Sequence, residues 1–214
     1  MHCFFNKDFV KDGGVAIVGS SPSLLGKNLG DKIDSYENVV RFNFASVNGF
    51  EASVGSKTTA RVVGMTITES HLDKFSFIKE REDSVIVTKD KNRQLLSKVY
   101  DVDEIVFFKD YVTDTRNTFR RLEEFIGEVT DLKKAPRTGL VILSMLLECY
   151  SKNKKIDVYG FDLQVPEDGP WQNHYFSDKK RVDFYEKMKK NHIDVSYEVQ
   201  ALNKIRDSGL VNFF

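Results

Sequence analysis

Cysteine is nearly absent from this chain of 214 residues: Cys3 and Cys149 are the only two. Two cysteines so far apart make no disulfide framework and no CxxC metal motif. Histidine is scarce as well, and His2, His71, His174 and His192 show no HxxxH spacing, so a histidine-rich zinc site is not expected. Charge of one sign is missing: 32 Lys and Arg balance 32 Asp and Glu, a formal net charge of zero. A domain that holds nucleic acid through bulk charge reads as basic, so that class is excluded. Long apolar runs are missing too. The longest, Gly139 to Tyr150, falls well short of the ~20 residues needed to cross a bilayer. Nor does the start, Met1 to Asp8, carry the charged head, apolar stretch and small-residue site of a secretory signal. With four prolines and no polar tract, long disordered segments are not expected. These absences lead to the expectation of a cytoplasmic protein with no membrane anchor.

What is present is ordinary for a globular chain: 41% hydrophobic and 30% charged residues, enough apolar mass for a core. The length suits a single domain spanning residues 1–214. Short runs rich in β-branched residues alternate with longer amphipathic stretches. Strands are expected at Val15–Val18, Val39–Phe42, Ala60–Gly64, Ser84–Val87, Glu104–Phe108 and Lys155–Tyr159. Helical spacing runs through Glu69–Glu80, Asp90–Tyr100, Thr115–Ile126, Gly139–Tyr150, Asp178–Lys190 and Asp194–Arg206. Strands alternating with helices of this length predict an α/β fold: one Rossmann-like domain with a mostly parallel central sheet flanked by helices.

In such a sheet, ligands bind at the carboxyl ends of the strands, near where the strand order reverses. The residues just after each strand therefore carry the functional signal. After the first strand come Gly19, Ser20, Ser21 and Ser23. Gly19 permits close backbone approach, and the hydroxyls stand beside free N–H groups, a way to hold a phosphate or ribose. A plain β-to-α turn would look the same. The segment is not a P-loop, because Gly26-Lys27 is followed by Asn28, and it is not GxGxxG. Asn43 ends the second strand, where its amide either reads a ligand or caps a turn. Arg137-Thr138-Gly139 precedes the apolar helix; Thr138 suits an N-cap, and Arg137 would stand beside helix N–H groups that favour an anion. Gly160 and Phe161 follow the last core strand. His174-Tyr175 lies in the region that breaks the strand–helix rhythm. His192 precedes a predicted helix start, whose positive end would keep the ring neutral. Asp101-Val102-Asp103 has the DxD form of a manganese-binding sugar transferase, but its place before a strand suits a solvated turn. The basic runs Lys179-Lys180-Arg181 and Lys187–Lys190 read as the wet face of a helix, with peripheral contact to a membrane surface as the alternative.

Taken in order, these segments resemble the sialyltransferases of glycosyltransferase family 29. Val15 to Gly19, through Asn43, to Gly55-Ser56-Lys57-Thr58-Thr59 is similar to the large sialylmotif. Pro136-Arg137-Thr138-Gly139 through Tyr159-Gly160-Phe161 is similar to the small one. His174-Tyr175 resembles motif III, and His192 with Glu198 resembles the very small motif. The resemblance implies a sialyltransferase variant of the GT-A-like α/β fold. It implies metal-independent, inverting transfer of a sugar acid from its CMP-activated form to a hydroxyl of a glycan or glycolipid acceptor, with no cofactor. Carried over by position, Gly19, Ser20, Ser21 and Asn43 would meet the CMP phosphate or ribose. Thr138, Gly139, Gly160 and Phe161 would line the cytidine pocket. His174 would stabilise the departing phosphate, and His192 would deprotonate the acceptor. Tyr175 and Glu198 would support them.

The departures from the family pattern carry information of their own. Ser20 stands where the family usually has asparagine. Val15 stands where it has a cysteine, so the disulfide that ties the large motif to the small one in secretory members cannot form, although Cys149 lies near the partner position. This suits a reducing compartment and a bacterial or viral type of protein. Arg137 replaces a serine, and the expectation is that its charge substitutes for missing hydroxyls at the donor phosphate. His192 and Glu198 are one residue farther apart than usual, which makes His174 the next candidate for the base. Other readings are a transferase using CMP-Kdo, a non-catalytic CMP-sugar binder, and an NAD(P) oxidoreductase. The last lacks both its glycine fingerprint and an acidic ribose residue.

Overall fold

Val15-Ala16-Ile17-Val18 is apolar at every position rather than at alternate ones, the pattern of a strand covered on both faces. It forms β1 (Val15–Val18), with all four residues buried. A computed structural model describes residues 13–108, 120, 123, 136–149, 155–163, 174–176 and 195–214. In it, β1 is joined by β2 (Asn38–Phe42), β3 (Ala60–Val63), β4 (Val85–Lys89), β5 (Ile105–Phe108), β6 (Ile156–Tyr159) and β7 (Asn212–Phe213). They make one seven-stranded sheet in the order β5-β4-β3-β2-β1-β6-β7. Every pairing is parallel, and Ile17 sits between Val40 and Val158.

The predicted strands β1 to β6 appear within two residues of their expected limits. β7 was not expected as a strand. The aromatic C-terminus packs on the body: Phe214 stacks on Tyr159 with ring centroids 5.0 Å apart, and the Lys32 ammonium lies 3.3 Å from the Phe214 centroid. Two residues carry too little pattern to read as a strand from sequence.

Six helices cover the described parts of the sheet: α1 (Gly30–Asp34), α2 (Glu51–Val54), α3 (Leu72–Lys79), α4 (Arg93–Leu96), α5 (Thr138–Cys149) and α6 (Val195–Asp207). α3, α5 and α6 match their expected places. The helix expected over 90–100 shortens to a 3-10 turn at Asp90–Asn92 followed by α4. The cause is Asn92, fully buried, whose carboxamide bonds Met65 O, Thr88 Oγ1 and Ile67 N–H. Those tertiary bonds fix the local backbone more strongly than helix periodicity does. The stretches expected as helices at 115–126 and 178–190 lie outside the described residues, except Arg120 and Glu123, which are helical. Asp101 behaves as a turn residue: its side chain and that of Glu104 make a reciprocal capping box, with Asp101 N–H donating to Glu104 Oε2 at 2.7 Å.

Side-chain alternation assigns the two faces. Val15 and Ile17 pack with Leu143 and Leu146 of α5 and Ile205 of α6. Ala16 and Val18 point the other way, to Ile33 of α1, Val54 of α2 and Tyr175. A third cluster joins Phe75 and Ile78 of α3 to Ile86 and Ile105. The chain builds outward from β1 to β5 on one side, then returns to place β6 and β7 on the other. The order thus reverses between β1 and β6, and the carboxyl ends of those strands flank the crevice where ligands bind in sheets of this kind.

Candidate active site

Gly19 and Gly160 follow the two strands at the switch point, and the structure shows why neither has a side chain. Gly19 N–H donates to Tyr159 O at 2.8 Å, and a Cβ on Gly19 would lie 2.3 Å from Gly160 O and 2.8 Å from the Phe161 ring. Gly160 has φ +64°, and its Cβ would meet Leu24 at 2.5 Å. The room beside Gly19 and beside Gly139 is taken by the Phe161 ring. These glycines, read from sequence as places for a ligand to approach, let the protein's own strand ends and the start of α5 converge. Phe161 in turn meets Phe42 edge-on, 6.1 Å between centroids. Thr138 touches Gly64 at the end of β3, where a Cβ would clash with its side chain.

The serines after β1 have different tasks. Ser21 caps the 3-10 turn Pro22–Leu24, accepting from Ser23 N–H at 3.1 Å, and its hydroxyl donates to Asp162. Burial pushes the Asp162 carboxyl up, against the hydroxyls of Ser21 and Ser23. Ser20 instead faces His174: its Oγ lies 2.5 Å from His174 Nδ1. The neighbouring Tyr175 anchors this segment. Its N–H donates to Ser20 O at 3.0 Å, and its buried ring places the hydroxyl 2.8 Å from Ser46 O. Burial pushes the Tyr175 phenol up, so it stays a neutral donor. With Tyr175 pointing inward, His174 stands at the crevice and stacks on Phe176, centroids 5.1 Å apart.

Asn43 ends β2 in the left-handed region, φ +47°, a conformation asparagine tolerates better than most residues. Its Oδ1 accepts from the N–H groups of Gly64 and Met65 at 3.2 and 3.4 Å, so it ties the end of β2 to the end of β3. Its amide nitrogen donates to no described residue. Arg61 holds the backbone beneath, donating to Asn43 O at 2.8 Å and Ala45 O at 3.1 Å while forming a buried ion pair with Glu82 at 2.5 Å. Asn43, His174 and Phe176 line one open cleft of about 780 Å³.

Arg137 does not stand free beside a helix start. Its carbonyl accepts the first turn's bond from Val141 N–H at 3.2 Å, so Arg137, rather than the expected Thr138, is the cap residue. Its N–H donates to Glu198 Oε1 at 2.6 Å, and its guanidinium pairs with Glu198 Oε2. A carboxylate from α6 therefore occupies the positive end of α5, where an external anion was expected. Burial pushes Glu198 up, and Arg137 opposes that rise.

The structure thus brings Gly19, Ser21, Gly160 and Phe161 together after β1 and β6, sets Ser20 against His174, gives His174 and Asn43 one cleft, and packs Phe161 on Gly139 and Thr138 on Gly64. Glu198 supports α5. His192 lies outside the described residues. Sequence reasoning missed Asp162, Gly64 and the Arg61–Glu82 pair. The signal for the last was available: an arginine inside the strand Ala60-Arg61-Val62-Val63 needs a buried partner.

A family model described as Glycosyltransferase family 29 (sialyltransferase) matches residues 14–210. Beta-galactoside alpha-2,6-sialyltransferase 2 of Gallus gallus is 46% identical over 55 residues, 26% of this chain and 10% of that protein. CMP-N-acetylneuraminate-beta-1,4-galactoside alpha-2,3-sialyltransferase of Homo sapiens is 56% identical over 46 residues, 22% of this chain and 12% of that protein. Both matches take in only about a tenth of the relative's length. The crystal structure of a mammalian sialyltransferase in complex with Gal-beta-1-3GalNAc-ortho-nitrophenol shares the fold. Its TM-score is 0.63 at 20% identity, over 99% of this chain and 72% of that one.

These likenesses overturn one expectation. The chain was read as cytoplasmic and of bacterial or viral type, yet the proteins it resembles are vertebrate sialyltransferases, enzymes of the Golgi lumen. The reading rested on what the N-terminus and the longest apolar run lack, and such gaps carry no information on compartment. Among the described residues no helix is long and apolar enough to cross a membrane. Because the family model spans nearly the whole chain, the protein belongs to glycosyltransferase family 29, the sialyltransferases.

Proposed function

We propose that the protein transfers sialic acid from CMP-sialic acid to a hydroxyl of a glycan acceptor, with inversion and without a metal. The observation that carries this reading is that His174, in contact with Ser20 just after β1, lines the same cleft as Asn43 at the end of β2, within a chain of this family. CMP seats across the crevice, its phosphate toward the Asn43 amide and His174. The acceptor oxygen gives its proton to His192 and bonds to the anomeric carbon of the sugar. The bond from that carbon to the phosphate oxygen breaks, and CMP leaves with the electron pair. Charge grows on the phosphate, where an imidazole N–H and the amide can meet it. A base of near-neutral pKa suits the incoming hydroxyl, and histidine supplies one. Such a base contributes ~10²–10⁴-fold to the rate.

Calorimetric titration with CMP, CDP, UDP and NAD, each with magnesium and with excess chelator, tests the nucleotide. Selective binding of CMP in both conditions is expected; equal binding of UDP or NAD would refute it. In His192→Ala, transfer should fall by ~10²–10⁴-fold while CMP affinity holds. Unchanged turnover would move the base role to His174. Comparing CMP-sialic acid with CMP-Kdo decides the sugar acid, since the cytidine pocket does not distinguish them.

A further inference from the structure

An imidazole can donate or accept a hydrogen bond, and the partner at one ring nitrogen decides what the other nitrogen does. For His174 one such partner is Ser20. Its Oγ lies 2.5 Å from His174 Nδ1, and this hydroxyl bonds no other described residue. The turn after β1 grips the segment 174–176 a second time, since Ser20 O accepts from Tyr175 N–H at 3.0 Å. The Tyr175 hydroxyl ties the same segment to Ser46 O at 2.8 Å. The His174 ring lies nearly flat on Phe176, with 9° between planes and 5.1 Å between centroids. Stacking thus sets the plane of the ring, and Ser20 meets one edge of it.

Two arrangements suit that contact. With its proton on Nδ1, the ring would donate to Ser20 Oγ, and the hydroxyl proton would have no acceptor among the described residues. With the hydroxyl donating to Nδ1, one bond uses both the hydroxyl proton and the nitrogen lone pair. Ser20 and His174 are both half-buried, where a polar group left unmet is costly, so the second arrangement is favoured.

We propose that Ser20 is a positioning residue for His174: its hydroxyl donates to Nδ1 and fixes the neutral ring with its proton on Nε2. A ring held so has no lone pair with which to take a proton from an acceptor. His174 therefore meets the leaving phosphate as an N–H donor and is not the base. The tautomer is a property of the folded chain, and its part in turnover rests on the transfer reaction proposed above.

Nuclear magnetic resonance reads the tautomer directly. The full chain is labelled with nitrogen-15 histidine, and His174 is assigned by the signal lost in His174→Gln. Nitrogen–proton correlations at pH 8, where an ordinary imidazole is neutral, show which ring nitrogen carries the proton. Wild type should show His174 protonated on Nε2 and bare on Nδ1. In Ser20→Ala the backbone bond from Tyr175 N–H remains, so the segment keeps its place. There the Nδ1 resonance should move, and part of the population should carry its proton on Nδ1. Ser20→Thr keeps the hydroxyl and should restore the wild-type pattern. Release of CMP from CMP-sialic acid, with water as the acceptor, should fall about fivefold in kcat for Ser20→Ala at unchanged KM, and recover in Ser20→Thr. A proton on Nδ1 in wild type, or a His174 pattern that Ser20→Ala leaves unaltered, overturns the assignment whatever the rate of CMP release. A higher KM with kcat unchanged would put Ser20 on the donor itself and overturn it as well. If the tautomer is as stated but CMP does not bind, the transfer reaction fails and the positioning by Ser20 stands.

Discussion

Replacing Arg137 with alanine separates two tasks that its sequence position suggests for it. In the structure the guanidinium pairs with Glu198, which is 5% exposed. Removing one partner of a buried pair leaves the other charge uncompensated and costs about 3–5 kcal/mol. In Arg137→Ala the backbone N–H, now 2.6 Å from Glu198 Oε1, survives, and so does the positive end of α5. The Arg137 side chain is also 28% exposed, so water already screens part of the pair. Both facts put the loss near the lower end, about 3 kcal/mol. For a chain of 214 residues that lowers Tm by roughly 6–12 °C.

The pH dependence gives the sharper test. Burial pushes the Glu198 carboxyl up in the folded protein, and Arg137 restrains that rise. An acid whose folded pKa is raised contributes stability that is present below its unfolded pKa and is lost as pH rises through the folded one. Without Arg137 the folded pKa climbs further and the losing window widens. The deficit of Arg137→Ala against wild type should therefore be largest at pH 8 and shrink toward pH 4. Thermal unfolding followed by circular dichroism across that range measures it. Adding Glu198→Gln to Arg137→Ala should remove the slope. A deficit of the same size at every pH, or a Tm drop below 2 °C at pH 8, would refute the reasoning. If the same variant lost CMP affinity by more than tenfold, Arg137 would also be meeting the donor phosphate.

Two shorter predictions follow from the same geometry. Ser20→Ala removes the 2.5 Å contact to His174 Nδ1 and should lower kcat by about fivefold, the value of one hydrogen bond of ~1 kcal/mol, with donor KM little changed in steady-state assays. Asp34→Asn weakens a clamp in which one carboxylate accepts from Ser56 N–H, Lys57 N–H and Ser56 Oγ at 2.8 to 3.0 Å. Burial alone would raise Asp34, but those donors outweigh it and hold the group below its ordinary value. Its contribution, about 1 kcal/mol for a half-exposed group, is present above the ordinary carboxylate pKa and is lost as pH falls through the depressed one. Urea unfolding at pH 7 and pH 2.5 should show a smaller deficit for the variant at the lower pH.

The fold was legible because its signals are local. β1 announces itself as an apolar run, β2, β3 and β6 as short runs rich in β-branched residues, and α5 as an apolar segment of helical length, so each is readable within a few neighbouring residues. The order of the strands was not written in any one segment, yet the parallel rule and the carboxyl-end rule together pointed to the residues after β1 and β6. What stayed hidden joins distant parts of the chain. Ser20 and His174 are 154 positions apart, Arg137 and Glu198 are 61, and nothing in either segment names its partner.

That distinction explains why the unusual residue types stood out in the sequence while the protein groups they meet did not. Gly19 signalled tight approach, and the approach is real: the Phe161 ring makes it. Arg137 signalled a charge beside a helix start, expected to meet the donor phosphate, and in the structure that charge pairs with Glu198. A small or charged residue after a strand reports that space or potential is unusual at that point. Whether ligand or protein fills it depends on the balance between desolvation and pairing with a group the local sequence does not contain. Asn43 shows the opposite case. Its backbone strain and its bonded Oδ1 serve the fold, while its amide nitrogen meets no described residue. The half of a side chain left over after folding is where a ligand contact can be looked for. By that criterion Asn43, and not Ser21 or Arg137, is the strand-end residue on which donor recognition should depend most.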